Sequence, residues 1–389
     1  MRSDMSSIKT FSVFVLVTAL LFEFTSFIAT QMDLFLINRT PTLYQFSIGE
    51  SIQDIAFGRT EREEWGAWHA ENSSYRDSKS CFDVVMEFNE IGARDTSFAN
   101  LSDQSIILLG DSFAEGYGVS ESATSQYLIE NELGVPLLNF GSAGHFGPLQ
   151  ELLIYKHYQT LPHQGLIVYV LPANDFGDND SFAWESISQT RYRPYFSTGE
   201  NPLTPYYFPT AVKRDHFIED GIIGDVSTFI RNNLWSSNAL RTLLMILRGD
   251  APFVAAQVEG KWVESYFYEA NQGQQSNLIL AYEAVLDLAN NRDVLFVIIP
   301  GQTDISRWKN DPEPNSYKRQ YWYESFMSFE SRIHHDVSVL NLMDYLPENT
   351  DELFFTCDSH WNPNGNRWAS DIIIQHIQAN GLFNTHYGN

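Results

Sequence analysis

The chain has 389 residues, 43% hydrophobic, 14% aromatic and 19% charged, which fits a folded protein and excludes a disordered or low-complexity one. Twenty-four Lys and Arg against 49 Asp and Glu leave a net charge of −25, so phosphate backbones are repelled and no nucleic-acid partner is expected. At roughly 150 residues per domain the length allows two or three domains, or one large α/β domain with an insertion.

Between Lys9 and Asp33 a run rich in Phe, Leu, Val and Ile carries a single charge, Glu23, and is long enough to cross a bilayer as a helix. No Ala-x-Ala pattern stands near residues 27–32, which favours an uncleaved signal anchor over residues 1–32. Arg2 and Lys9 precede the run and Asp33 follows it, so the remainder is expected outside the cytoplasm, periplasmic or extracellular. A carboxylate at the centre of such a helix costs roughly 2.5 to 3.5 kcal/mol, which neighbouring Phe and Leu offset. Glu23 is therefore read as a tolerated or protonated group rather than one that binds a partner.

Residues 33–100 are polar, Trp- and Glu-rich and weakly periodic, with one candidate strand at 81–88, and read as a membrane-proximal leader. Beyond them short apolar runs alternate with helical patterns. Strand 105–109 precedes helix 123–133, strand 135–140 precedes helix 149–161, and strand 166–171 is the third. Helix 277–289, strand 294–299, helix 317–333, strand 337–342 and helix 367–379 complete the series. The alternation predicts a three-layer α/β/α domain over 101–389, built on a doubly wound parallel sheet of flavodoxin-like type. Residues 176–273, rich in Tyr, Phe, Pro and Trp, interrupt it after the third strand. Within them 191–196 and 206–210 resemble hairpin arms, and 226–248 a long amphipathic helix. An insertion at the carboxyl end of a strand lies over the crevice where such folds bind ligands, so it reads as a lid.

The first strand of the series runs into Gly110-Asp111-Ser112-Phe113, placing a serine at the carboxyl edge of the sheet. Alone the motif reads better as a turn at Asp111 with Ser112 capping a helix. Near the other end stands Asp358-Ser359-His360-Trp361-Asn362-Pro363-Asn364-Gly365, again at that edge. A nucleophilic serine needs a base, and the base needs a carboxylate on its other nitrogen. Asp358 and His360 meet only if the backbone turns, which Asn362-Pro363 and Gly365 permit.

On these residues the chain resembles the SGNH hydrolases, also called the GDSL esterases. The resemblance implies a serine esterase with Ser112, His360 and Asp358 as catalytic residues. It also implies an oxyanion hole from the Ser112 N–H, Gly144 in Asn139-Phe140-Gly141-Ser142-Ala143-Gly144, and Asn174 in Pro172-Ala173-Asn174-Asp175. Two departures stand out: Pro172 where the family often has glycine, and one residue rather than two between Asp and His. That spacing followed by Trp resembles the membrane-anchored bacterial branch acting on O-acetyl groups of exported polysaccharides, as does the stretch 65–95. The implied partner is an acylated carbohydrate or other ester, hydrolysed or acyl-transferred, with no cofactor. The alternative is a non-catalytic polysaccharide-binding or assembly component that keeps the fold. His334-His335-Asp336 lacks further ligands at metal-site spacing and reads as a solvated turn, so no metal is expected. Cys81 and Cys357 are the only cysteines, and in an exported chain they are either bridged or separately buried.

Overall fold

The computed structural model describes residues 2–32, 34–35, 59–62, 64–79, 81–98, 101–144, 146–185, 193–208, 230, 234–248, 265–331 and 337–384. Its first element is a 30-residue helix, α1 (Arg2–Gln31), in which Thr10–Gln31 is long and apolar enough to cross a membrane. Phe14, Leu16, Leu20 and Phe24 are exposed on it, whereas Ser26 and Thr30 are buried. Glu23 departs from the expectation of a merely tolerated charge: its carboxylate accepts backbone hydrogen bonds from Trp235 and Ser236.

The leader carries more structure than one strand. β1 (Arg59–Arg62) pairs antiparallel with β2 (Gly66–His69), and β3 (Ser74–Lys79) with β4 (Phe82–Glu87). Its polar composition hides the elements, because the apolar residues that turn inward, Trp65, Trp68, Phe82, Met86 and Phe88 among them, are scattered between polar ones, some of which (His69, Asp77, Arg94) are buried too. Trp65 and Trp68 are packed into the core of the α/β domain, and the Trp65 carbonyl accepts from Gln150 at 2.8 Å.

The main sheet contains β5 (Ile106–Leu109), β6 (Leu137–Asn139), β7 (Gly165–Val170), β8 (Asp293–Ile298) and β9 (Val337–Asn341). All pairings are parallel, in the order β6-β5-β7-β8-β9, the flavodoxin-like winding. The central sequences IILL, GLIVYV and DVLFVI are buried along their length, because helices cover both faces and no alternation with polar residues is needed. α3 and α9 pack together on one side; α4, α7 and α8 pack together on the other. Their ranges are Ser125–Leu133 (α3), Pro148–Tyr158 (α4), Gln272–Ala289 (α7), Tyr321–Phe329 (α8) and Pro363–Asn380 (α9). Two others matter below: α2 (Ser112–Glu115), a single turn after β5, and α5 (Pro172–Asp178), after β7.

Element types match the sequence expectation, and the bounds differ for local reasons. α9 starts four residues early because Asn362 is its N-cap, accepting from Asn364 and Gly365, and Pro363 takes the first helical position. The expected helix over 226–248 is shorter: Leu234 and Trp235 are not helical, and α6 spans Ser236–Arg248. Among the described residues of the expected hairpin in the insertion, Tyr195 and Tyr206 form one antiparallel bridge. Residues 191–192, 209–229, 231–233 and 332–336, the last including His334, His335 and Asp336, lie outside the described residues.

Candidate active site

Ser112 owes its availability to its neighbour. Asp111, not Ser112, caps α2: its Oδ1 accepts the Phe113 N–H at 3.0 Å. This leaves the Ser112 hydroxyl, in a 5% exposed residue, to the loop arriving from β9. That loop is closed by a bridge between Phe354 and Trp361 and by a 3.0 Å bond from Phe355 N–H to the His360 carbonyl. Inside it Asp358 Oδ1 accepts the backbone N–H of His360 at 2.9 Å, the local turn that lets residues two apart face each other. The same oxygen meets His360 Nδ1, and His360 Nε2 lies 2.7 Å from Ser112 Oγ. The structure thus brings Asp358, His360 and Ser112 into one hydrogen-bonded line across 248 residues of sequence.

Phe113 and Tyr117 flank the imidazole, with ring centroids 5.2 and 4.7 Å from it. Ser112, Phe113, Tyr117, His360 and Trp361 surround a shallow depression at the serine. Trp361 itself is 2% exposed and edge-on to Phe113 at 4.8 Å, so its main part is packing beneath the catalytic loop.

The loop 139–144 after β6 is fastened to the nucleophile turn. Gly141 N–H donates to Asn139 Oδ1, Asn139 Nδ2 to the Ala114 carbonyl, and Ala143 N–H to Glu115 Oε2, at 2.9 to 3.0 Å. A Cβ on Gly141 would lie 2.3 Å from the Glu115 nitrogen, so only glycine fits there. Gly144 has φ +93°, a left-handed conformation disfavoured for other residues. Asn174, in the first turn of α5, donates from Nδ2 to Asp111 Oδ2 at 3.1 Å, and the second proton on that nitrogen stays available. Pro172 is the first residue of α5, where its missing N–H costs nothing.

Of the two alternatives for Cys81 and Cys357 the structure shows the bridge, which pins the leader to the loop carrying Asp358 and His360; what sequence reasoning missed is Lys79. Lys79 Nζ donates to Asp358 Oδ2, the oxygen that His360 does not use. Two residues on, Cys81 is bonded to Cys357, with Cα atoms 5.8 Å apart. The β3–β4 turn is therefore tied to the catalytic loop twice. Lys79 was findable from its spacing to Cys81, had the bridge been taken as given. His69 bonds Glu115 Oε1, and Arg94 donates to the carbonyls of Glu115, Gly116 and Val119, holding the far side of α2.

Burial alone would push the Asp358 carboxyl up, but the charges and hydrogen bonds of His360 and Lys79 outweigh it and hold the group well below the usual carboxylate range. Asp111 is pushed up to about 6 by burial, only partly offset by the Phe113 N–H and by His360. Behind it Glu151 and Asp175 are raised by burial and by neighbouring carboxylates, and Tyr282 donates to both, at 3.2 and 3.4 Å.

No family model and no curated protein matches this sequence. Solved structures similar to it include a salicylyl-acyltransferase from a tetracycline biosynthetic pathway, at 14% identity over 74% of this chain and 57% of that one, with a TM-score of 0.35. A lipolytic G-D-S-L family member from Veillonella parvula is 10% identical over 70% of this chain and 98% of its own, TM-score 0.35. An acetyl xylan esterase from the rumen bacterium Butyrivibrio proteoclasticus is 9% identical over 72% and 65%, TM-score 0.30. The chain spans less than two thirds of the first and the last of these. The proteins it is similar to are hydrolases or acyltransferases of the SGNH or GDSL type.

Proposed function

We propose that this protein is an SGNH-type serine esterase that hydrolyses or transfers an O-acyl group, the O-acetyl group first, on an extracytoplasmic carbohydrate. The observation that carries the reading is the line from Asp358 through both ring nitrogens of His360 to Ser112 Oγ, 2.7 Å from Nε2. In this reading Ser112 Oγ bonds to the acyl carbon while its proton passes to His360 Nε2, and the carbonyl electron pair moves onto oxygen. Asp358 remains ionised and stabilises the imidazolium. The oxyanion accepts hydrogen bonds from the Ser112 and Gly144 N–H groups and from Asn174 Nδ2, each worth roughly 3 to 4 kcal/mol. Collapse expels the alcohol with the proton from Nε2. Water or a sugar hydroxyl then attacks the acyl-enzyme, giving back a proton by the same route.

The Asp-x-His-Trp spacing and the aromatic insertion over 176–273 support a carbohydrate substrate. The charges around α1 and the Cys81–Cys357 bond support an anchored protein with its catalytic part, residues 101–389, in an oxidising compartment outside the cytoplasm. Residues 33–100 serve in this scheme as the leader. The test is hydrolysis of p-nitrophenyl acetate. Ser112→Ala and His360→Ala should each lose turnover by a factor on the order of 10⁴, and the double variant no more, because triad members act as a unit. A folded Ser112→Ala protein with full activity would sink the assignment of Ser112 as nucleophile, and an inert natural chain would return the non-catalytic alternative.

A further inference from the structure

Helix α1 and the insertion meet along one seam. Glu23 accepts the N–H groups of Trp235 and, at 3.0 Å, Ser236, where α6 begins. One turn further along α1 the Phe27 ring stands edge-on to Trp235 with centroids 5.0 Å apart, and Asn238 Nδ2 donates to Thr30 Oγ1 at 2.9 Å. Positions 23, 26, 27 and 30 form a single stripe of the helix, and Ser26 and Thr30 on it are 2% and 0% exposed. Glu23 lies eight residues before the end of α1 at Gln31, or about 12 Å along the axis.

α6 has a second stripe with nothing among the described residues against it. Leu240, Leu243, Leu244 and Leu247, at i, i+3, i+4 and i+7, are 44, 51, 50 and 73% exposed. Left in water, a four-leucine stripe is unfavourable in proportion to its apolar area. The stripe belongs to a helix fastened to the apolar surface of α1, whose own Phe and Leu side chains are equally bare.

We propose that α6 is immersed in the leaflet crossed by the carboxyl half of α1, with its leucine stripe against lipid acyl chains. The inference rests on reading α1 as a membrane span. At the depth of Glu23 no water satisfies the N–H groups that open a helix, so an acceptor must come from the protein. Glu23 is that acceptor, and the positive end of α6 in turn stabilises a charge otherwise out of place among hydrocarbon. The insertion over the sheet's carboxyl edge is thereby held at the bilayer, which suits a carbohydrate presented at the membrane surface.

Because Cys81 and Cys357 are bonded to each other, a third cysteine takes a nitroxide label selectively. Leu244→Cys, Val17→Cys in α1 and Tyr321→Cys on the catalytic domain are each labelled in the full chain, reconstituted in phosphatidylcholine vesicles. Collision with oxygen, which concentrates in lipid, is compared with collision with a water-soluble nickel chelate. The position-244 label is expected to share the high oxygen-to-nickel ratio of position 17, with position 321 low, and Glu23→Leu is expected to lower the ratio at 244 while leaving 17 unchanged. A lipid-like ratio at 17 with a water-like ratio at 244 overturns the inference and leaves the anchor standing. Shielding of 244 from both probes means that a protein, another copy included, covers the stripe, and also overturns it. Nickel access at 17 sinks the anchor itself, and the inference with it.

Discussion

Asp358 has two oxygens and two duties, and Lys79 is what separates them. One oxygen orients His360; the other is taken by an ammonium from the leader, in residues only 8% and 18% exposed. A charge-assisted bond of this kind is worth about 1.5 to 3 kcal/mol, so Lys79→Met should reduce kcat/KM roughly 10- to 100-fold. It also withdraws a positive charge from beside the imidazole, so the acidic limb of the kcat/KM profile should move to higher pH, and Lys79→Arg should restore much of both. A uniform loss at every pH would make Lys79 merely structural. Asn174→Ala should lower kcat by roughly 10² to 10³ with little change in KM, since its hydrogen bond strengthens only as the oxyanion forms. A change confined to KM would make Asn174 a substrate-binding residue. Ser112, His360 and Asp358 were legible in the sequence because each carries chemistry of its own at a strand end. Lys79, Arg94 and Glu23 were not, since a cation in a hairpin or one carboxylate in an apolar helix acquires meaning only from what it faces. A pointer for Glu23 did exist: Ser26 and Thr30 complete a polar stripe with it at helical spacing.

At the level of elements, the parallel sheet announced itself because strands buried on both faces are apolar throughout. The hairpins of the leader did not, because they bury a few aromatics among polar residues in strands of four to six residues. Yet the β3–β4 hairpin is the element that holds the loop carrying Asp358 and His360. Its turn is joined to the catalytic loop by the Cys81–Cys357 bond, by Lys79, and by a small apolar cluster of Phe82, Val119 and Phe355. The bond spans 276 residues, and a disulfide typically contributes roughly 2 to 4 kcal/mol, mainly by constraining the unfolded chain. Reduction, or the Cys81→Ser/Cys357→Ser pair, should therefore lower both the melting temperature and kcat. The activity loss should precede unfolding on a temperature ramp, because the Asp358 loop is released first. Equal activity and melting in the reduced and oxidised chains would show that the hairpin needs no tether.

Across the whole molecule the buried carboxyls make stability depend on pH. Burial pushes Asp95 up to about 7, against the Asn139 N–H, and Asp304 up to about 6, against the Ser265 hydroxyl. Asp111 is likewise near 6, and Glu151 and Asp175 are raised as well. Each of these groups holds its proton in the folded state to a higher pH than in the unfolded chain. Their contribution to stability is thus complete below the ordinary carboxylate pKa of about 4 and is lost as pH rises through 6 to 7. Asp358 has the opposite sign: depressed in the folded state, it stabilises fully above about 4 and loses that contribution only on further acidification, so it is silent over the interval that matters. The melting temperature should accordingly fall between about pH 5 and pH 8. Asp95→Asn keeps an acceptor for the Asn139 N–H, bonded at 2.9 Å, and removes one titrating group, so it should flatten the melting profile without touching the pH dependence of kcat/KM. A melting temperature that climbs from pH 5 to pH 8 would mean that these carboxyls are ionised in the fold, and that the interior behind Ser112 is far more solvated than its burial indicates.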